Sequence, residues 1–489
     1  MLKLATIEEH VKNYRPQVLV LSGNPVARTT LVDFVRNITK GSSLMICGHV
    51  VPNIPNDQAL SYMRNVDEQM NEWLRRRRVK AFYVSTVNQS LRAGVRTLLQ
   101  VAGLGKLRPN IVFMGFKADW TTCGPEGIND INEYFGVILD SFDSNMGMAI
   151  LSNAGGGLDL SEMMKRHKVG DTKRLKLPDV NEPEITSANV KWNEEIINES
   201  TSSNPQSSLL GSTSNKDVSD AAANEYTSSF MESVVEDGAE NEKASVAPAN
   251  SFYVVVDDVS PKVSNEMDLQ SVTDEPTRRS QRPTAVQRDV FASINRFNRS
   301  KAKSTAATID VWWLYDDGGL TLLIPHLLAL PKSYLAGAKL RVFTIASSRM
   351  AIEQEQRSML ALLNKFRINV SHVVVLPEIT GKPSSTTLEK WESLIAPFRV
   401  DDANLDNEGL IKETELSALR GRTNRQLRCR ELLLEHSTNA NLIVVTLPVP
   451  RKGQISSCLY MAWLDALTRD LPPTLLIRGN QTSVLTFYS

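Results

Sequence analysis

The sequence predicts an α/β protein built as two tandem doubly wound, mostly parallel-sheet domains separated by a long disordered insertion. Three observations carry this. Short β-rich apolar runs alternate with longer segments of helical spacing, first over residues 16–152 and again over 306–489. Strands spaced by helices are the mark of crossover connections and a parallel sheet covered on both faces. Between the two blocks, residues 153–305 change to Ser, Thr, Asn, Glu and Asp, and a run such as "TSSNPQSSLLGSTSNKDVSDAAANEYTSS" cannot bury enough apolar surface to offset its chain entropy.

In the first block the strands are "PQVLVLSG", "SLMICGHV", "KAFYVSTV", "NIVFMGF" and "GMAILS", the last at 147–152. Helices are expected near 28–39, 57–76, 88–102 and 127–143. The second of these shows the period best: Ala59, Met63, Val66, Met70 and Trp73 or Leu74 recur every three or four residues and so share one face. The second block repeats the plan with "IDVWWLY", "LRVFTIA", "HVVVLPE", "NLIVVTL" and "PTLLIRG", and helices near 319–330, 350–366, 386–396, 415–436 and 455–469. The repetition reads as a degenerate internal duplication. The expected boundaries are therefore 1–152, 153–305 and 306–489.

With 489 residues and 42% apolar side chains, the chain is long enough for two or three cores. Its 55 basic and 55 acidic side chains cancel, so no overall field draws it to nucleic acid or an anionic membrane. Charge is instead segregated within the insertion. Residues 181–250 hold 13 acidic and 3 basic side chains, and residues 271–303 hold 8 basic and 3 acidic. That pattern suits either a partner contact or an uneven solvated linker. Cys47, Cys123, Cys429 and Cys458 lie far apart without a CxxC pair, which suits a reducing compartment. The longest apolar candidate, "LTLLIPHLLAL", is about half of a membrane span of roughly 20 residues. "MLKLATIEEHVKNYRPQ" lacks a signal-peptide core and begins abruptly, like an interior piece.

No GxSxG, GxxxxGK[ST], HExxH or complete GxGxxG motif is present, so no enzyme class is indicated. "AGLGKL" at 102–107 follows a helix pattern instead of a strand and reads as a helix C-cap. The loop "SGNPVARTT" offers Gly23 for close backbone approach, cationic Arg28 and a following helix N-terminus, which suits a nucleotide phosphate or a plain strand-to-helix turn. Gly48 and His49 in "ICGHV" fall at the carboxyl end of a predicted strand, where doubly wound folds bind ligands; a packed or capping histidine is the other reading. In the equivalent turn of the second block, Asp316 and Asp317 can cap helix amides while Gly318 and Gly319 permit a tight turn. Two carboxylates there would repel phosphate, and no further ligands lie nearby for a metal.

Two arginine-rich runs are expected to be structural or to face a partner. "LRRRRVK" at 74–80 ends a helix, where the dipole favours cations, or forms a lipid-facing patch. "RGRTNRQLRCRE" at 420–431 suits ion pairing between helices or a partner interface. In "TRRSQRPT", Ser280 follows Arg278 and Arg279 and is a candidate kinase substrate.

The runs "TIDVWWLYDDGGLTLLIPHLL", "LLNKFRINVSHVVVL" and "ELLLEHSTNANLIVVTLPVPRKGQISSCLYMAWLDALTRDLPPTLLIRGNQTSVLTFYS" closely resemble the C-terminal cytosolic domain of the cation-chloride cotransporters. "IEEHVKNYRPQVLVLSG", "LMICGHV" and "LGKLRPNIVFMGFKADW" resemble the first half of the same domain, and the ending "RGNQTSVLTFYS" is more like the sodium-dependent branch. The resemblance implies a non-enzymatic regulatory module of an electroneutral sodium-potassium-chloride symporter, with two subdomains like universal stress proteins. It implies a homodimer, contact with the transporter's transmembrane domain, and kinases or phosphatases acting through the linker. It places the module at the cytosolic face of the plasma membrane and implies no nucleic-acid partner. ATP or another adenine nucleotide would fall by position on Gly23, Asn24, Gly48, His49 and Gly115. A stress-protein-like nucleotide sensor is the alternative. Since the family's membrane helices are absent, the chain is expected to be a fragment that does not move ions by itself.

Overall fold

The computed structural model describes residues 14–41, 43–53, 57–123, 127–153, 158–161, 297, 307–346, 352–376, 381–401 and 408–485. Apart from Phe297, which is buried, the predicted insertion beyond 161, with Ser280, lies outside the described residues.

All ten predicted strands are present. The first block carries β1 (Val18–Leu21), β2 (Met45–Pro52), β3 (Phe82–Asn88), β4 (Ile111–Gly115) and β5 (Gly147–Ser152). They are joined by α1 (Thr29–Thr39), α2 (Asp57–Arg76), α3 (Leu91–Val101) and α4 (Ile128–Asp143). The second block carries β6 (Thr308–Trp312), α5 (Leu320–Ala329), β7 (Lys339–Ile345), α6 (Ile352–Lys365), β8 (His372–Leu376) and α7 (Ser385–Ile395). A small parallel pair follows, β9 (Arg399–Val400) with β10 (Ile411–Lys412). Then come α8 (Glu413–Ala418), α9 (Arg420–His436), β11 (Leu442–Thr446), α10 (Ser457–Ala466) and β12 (Thr474–Arg478). The helix expected over 415–436 is thus two, with Leu419 between them.

The two blocks share one ten-stranded sheet, in the order β3-β2-β1-β4-β5-β12-β11-β6-β7-β8. Every pairing is parallel except the seam, where β5 runs antiparallel to β12 from Ser152 opposite Thr474 to Met148 opposite Arg478. Outward from the seam, the strands of each half follow the same order, so the halves are related by a pseudo-twofold axis through β5 and β12. This is the geometry expected of a duplicated unit joined by like edges. It also pairs two strand edges that would otherwise expose unbonded backbone groups.

Strand side chains alternate between the faces. Ile111, Phe113, Ala149, Leu151, Leu475, Ile477, Leu442 and Val444 pack into one core with α1, α2, α5 and α6. Val112, Met148, Ile150, Leu476, Ile443 and Val445 pack into the other with α4, α7, α9 and α10. Both cores run across the seam. The strands are buried on both sides, which is why they read as continuous apolar runs.

Several members of the arginine runs make structural contacts. In α9, Arg428 pairs with Glu431 at 2.6 Å, Arg430 donates to the carbonyls of Ala466 and Arg469, and Arg422 lies over the Trp463 ring. At the end of α2, Arg75 and Arg76 pair with Glu72, and Arg77 pairs with Asp33 at 2.6 Å. "AGLGKL" caps α3, with Gly103 and Gly105 at positive φ and a bridge between Leu104 and Leu107.

Candidate functional site

In each half the chain leaves the central strand, winds outward on one face of the sheet and then crosses to the strand on the other side. The reversal falls between β1 and β4 in the first half and between β6 and β11 in the second. The carboxyl ends of such strand pairs are where open α/β sheets form ligand crevices.

The five predicted residues of the first half converge on that edge, carried by β2, β1 and β4. Gly23 follows β1 with φ of 53°, and its amide donates to the Gly48 carbonyl at 3.1 Å. Asn24 turns the chain by accepting the Val26 amide on its side-chain oxygen at 3.0 Å. Leu21, the last residue of β1, pairs with Gly48, so His49 lies level with the exit of β1. The strand end expected at His49 is corrected, however: β2 continues to Pro52 because Val50, Val51 and Pro52 go on pairing with β3. Gly115 ends β4 and accepts the Tyr134 hydroxyl at 3.0 Å on its carbonyl.

These residues differ in what holds them. A Cβ on Gly48 would come within 3.0 Å of Leu98 and 3.1 Å of Leu19, so close packing of α3 accounts for that glycine. His49 is buried and its Nδ1 lies 2.6 Å from the Tyr83 hydroxyl. Burial first, and then the charge of Arg28, push its pKa down to about 4, which keeps the imidazole neutral at pH 7. Gly23 is different: a Cβ there would fall 2.5 Å from the Arg28 guanidinium, which lies across its backbone. Arg28 donates to the Ser22 carbonyl at 3.0 Å and pairs with Asp159 at 2.7 Å.

Asp159 was not legible as part of this edge. It belongs to residues 158–161, which return over the turn after β5; the Leu160 amide donates to the Ala27 carbonyl at 2.9 Å and the Leu160 side chain is buried. The turn thus has elements that suit a phosphate, a guanidinium lying over a glycine backbone at positive φ, and a carboxylate of the chain already holds that guanidinium.

The second half has the equivalent arrangement with opposite charge. Asp316 accepts the Gly318 amide at 3.0 Å. Asp317, fully buried, accepts the amides of Gly319 and Thr321, each at 3.1 Å, and the Thr321 hydroxyl at 2.7 Å. The segment after β12 closes over this turn as 158–161 closes over the first: the Val484 amide donates to the Gly318 carbonyl at 2.9 Å, and a Cβ on Gly318 would overlap the Thr482 carbonyl. Among the described residues, no three His, Cys, Asp or Glu side chains come together as a metal site requires.

Comparison with known proteins adds the family. The model of solute carrier family 12 matches residues 28–489. The chain is 35% identical to solute carrier family 12 member 2 of Mus musculus over all of its own length and 36% of the mouse protein. It is 36% identical to the bumetanide-sensitive sodium-(potassium)-chloride cotransporter of Manduca sexta, over 99% of this chain and 42% of that one. Human solute carrier family 12 member 3 is 34% identical over 99% of this chain and 38% of its own length. The chain therefore spans 36 to 42% of the length of these relatives. A solved structure, the cytoplasmic domain of a prokaryotic cation chloride cotransporter, aligns with 96% of this chain and 99% of its own at 11% identity and a TM-score of 0.38. With the family model matched from α1 through β12 and relatives at 34 to 36% identity spanning the chain, it belongs to solute carrier family 12, the cation-chloride cotransporters.

Proposed function

We propose that this chain is a cytosolic regulatory and dimer-forming part of an electroneutral sodium-potassium-chloride symporter, acting on ion flow through contacts with the transporter's transmembrane domain. The observation that carries the reading is the match over both halves of the sheet to a relative named as a sodium-(potassium)-chloride cotransporter. In this reading the ion pathway lies in the remainder of the parent, because no helix among the described residues is long and apolar enough to cross a membrane. The role is non-enzymatic: the ionisable groups at the strand ends cap turns and pair with one another. Kinases and phosphatases act through the linker, with Ser280 as a substrate. Sedimentation or light scattering at high micromolar concentration tests the dimer, and a strictly monomeric mass would overturn that part of the reading.

The proposal includes an adenine nucleotide, ATP or a relative, at Gly23, Asn24, Gly48, His49 and Gly115. What supports it is the guanidinium of Arg28 lying against Gly23. A phosphate there would replace the Asp159 carboxylate. Calorimetry with ATP should show tighter binding for Asp159→Asn than for the parent chain; absence of heat with both would remove the nucleotide and leave the regulatory role standing.

A further inference from the structure

At the opposite edge of the sheet, the ends of α1, α2 and α5 meet around a cavity of about 310 Å³. Its lining is unlike that of the neutral chain as a whole. Arg36, Lys40, Arg78, Lys80 and Lys332 contribute five cations, and the single acidic side chain, Asp33, is already held by Arg77 at 2.6 Å.

Some of this charge is accounted for locally. Lys40 donates from Nζ to the carbonyls of Leu327 at 2.6 Å and Leu330 at 3.3 Å, so it caps the end of α5. Helix carboxyl ends carry about half a negative charge each, so the three that converge here offset roughly one and a half of the five cations. More than three positive charges remain. Among the described residues no carboxylate pairs with Arg36, Arg78, Lys80 or Lys332. Clustering unpaired cations raises the energy of the fold, and that energy is recovered when a multiply charged anion enters.

The cavity is also built. Three of its basic residues, Lys40, Arg78 and Lys332, hold positive φ angles of 50°, 55° and 69° where the chain turns out of or between helices. Gly41 has φ of 67°, and a Cβ there would fall 2.6 Å from the Lys80 side chain, so the missing side chain lets Lys80 cross the end of α1. Asn37 fixes the wall from both sides, donating to the Phe297 carbonyl at 3.0 Å and accepting the Tyr334 amide at 2.9 Å. Phe297 and Tyr334 meet edge to face at 5.1 Å behind it. The walls come from both halves of the chain.

We propose that this cavity binds a small anion bearing two or more phosphate groups. Its volume lies at the lower end of the roughly 300–1,000 Å³ of small-molecule sites, which admits a phosphorylated sugar or inositol and is too small for a folded partner. Because α1 belongs to the first half and the connection after α5 to the second, the ligand bridges the two and stiffens their junction. Its phosphates are those of a free molecule or of a lipid headgroup.

The test uses the full chain with inositol 1,4,5-trisphosphate, and phosphatidylcholine vesicles with or without phosphatidylinositol 4,5-bisphosphate. Free trisphosphate should raise the melting midpoint and give binding heat that weakens as salt rises. Binding only to vesicles that contain the phosphoinositide would assign the lipid source and equally support the site. In either case R78E/K332E should weaken binding at least tenfold. K382E/K390E, which changes net charge equally at exposed positions elsewhere, should leave it unchanged. No binding to either probe, or equal loss in both variants, would overturn the proposal; unchanged melting of the unliganded variants shows that they fold.

Discussion

The carboxylate of Asp317 accepts the amide of Gly479 at 3.0 Å, tying the turn after β6 to the exit of β12 across 162 residues. The same side chain receives two amides and a hydroxyl from the start of α5. Its role is therefore wider than a helix cap, since it joins the two strand ends that flank the second crevice to the helix that leaves it. Those acceptor positions are used, and the negative charge in the turn disfavours a phosphate.

Asp317→Ala should be among the costly substitutions in the chain. Four buried donors lose their acceptor, and at about 1 kcal/mol or more each the loss should exceed about 3 kcal/mol in chemical denaturation. Asp316→Ala, at an exposed position with one local bond, should cost less than about 1 kcal/mol. Equal effects would remove the distinction drawn between the two aspartates.

His49 gives the fold a dependence on acid. Its pKa in the folded chain is about 4 against an ordinary 6.5, so between these values the unfolded chain binds the extra proton. The stabilisation from the neutral imidazole is fully present above pH 6.5 and is lost as pH falls toward 4, by about 3 kcal/mol in all. His49→Asn should flatten the stability profile over that window; an unaltered slope would show that other groups cause it.

Arg28→Gln should raise the His49 pKa, because the guanidinium charge contributes to its depression. Titration of the imidazole by NMR reads this directly. The Arg28 and Asp159 side chains are 37% and 45% exposed, so Asp159→Asn should alter stability by less than about 1 kcal/mol.

Gly94→Ala should destabilise although alanine is the better helix former. Gly94 faces Val50 across the contact of α3 with β2, and an added methyl would overlap both Val50 methyl groups. A gain of up to about 1 kcal/mol in helix propensity is outweighed by about 2 kcal/mol of overpacking. Val50→Ala in the same chain should recover part of the loss in thermal melting.

Strand and helix positions were readable because each element carries its own period. The alternation in "NIVFMGF" sends Ile111 and Phe113 to one core and Val112 and Met114 to the other. The acidic turn was readable for a similar reason: capping aspartates act on amides two and four residues away, within the reach of a local motif. The two-helix break at Leu419 was not readable, since the nearby glycine, Gly421, lies inside the second helix and not at the break. Asp159 was equally hidden, because its partner Arg28 is 131 residues away.

By itself, then, the sequence determined the ten strands, the duplicated plan, the charge of each strand-to-helix turn and the resemblance that led to solute carrier family 12. Tertiary structure alone decided how the copies join. "GMAILS" and "PTLLIRG" are apolar on both faces, and nothing within either run specifies which edge it will pair with; the antiparallel seam exists only once both blocks are folded. It likewise decided that Arg36, Lys40, Arg78 and Lys80 from one half meet Lys332 from the other around one cavity. Charge is written residue by residue in a sequence, whereas its local density depends on how separate helix ends converge.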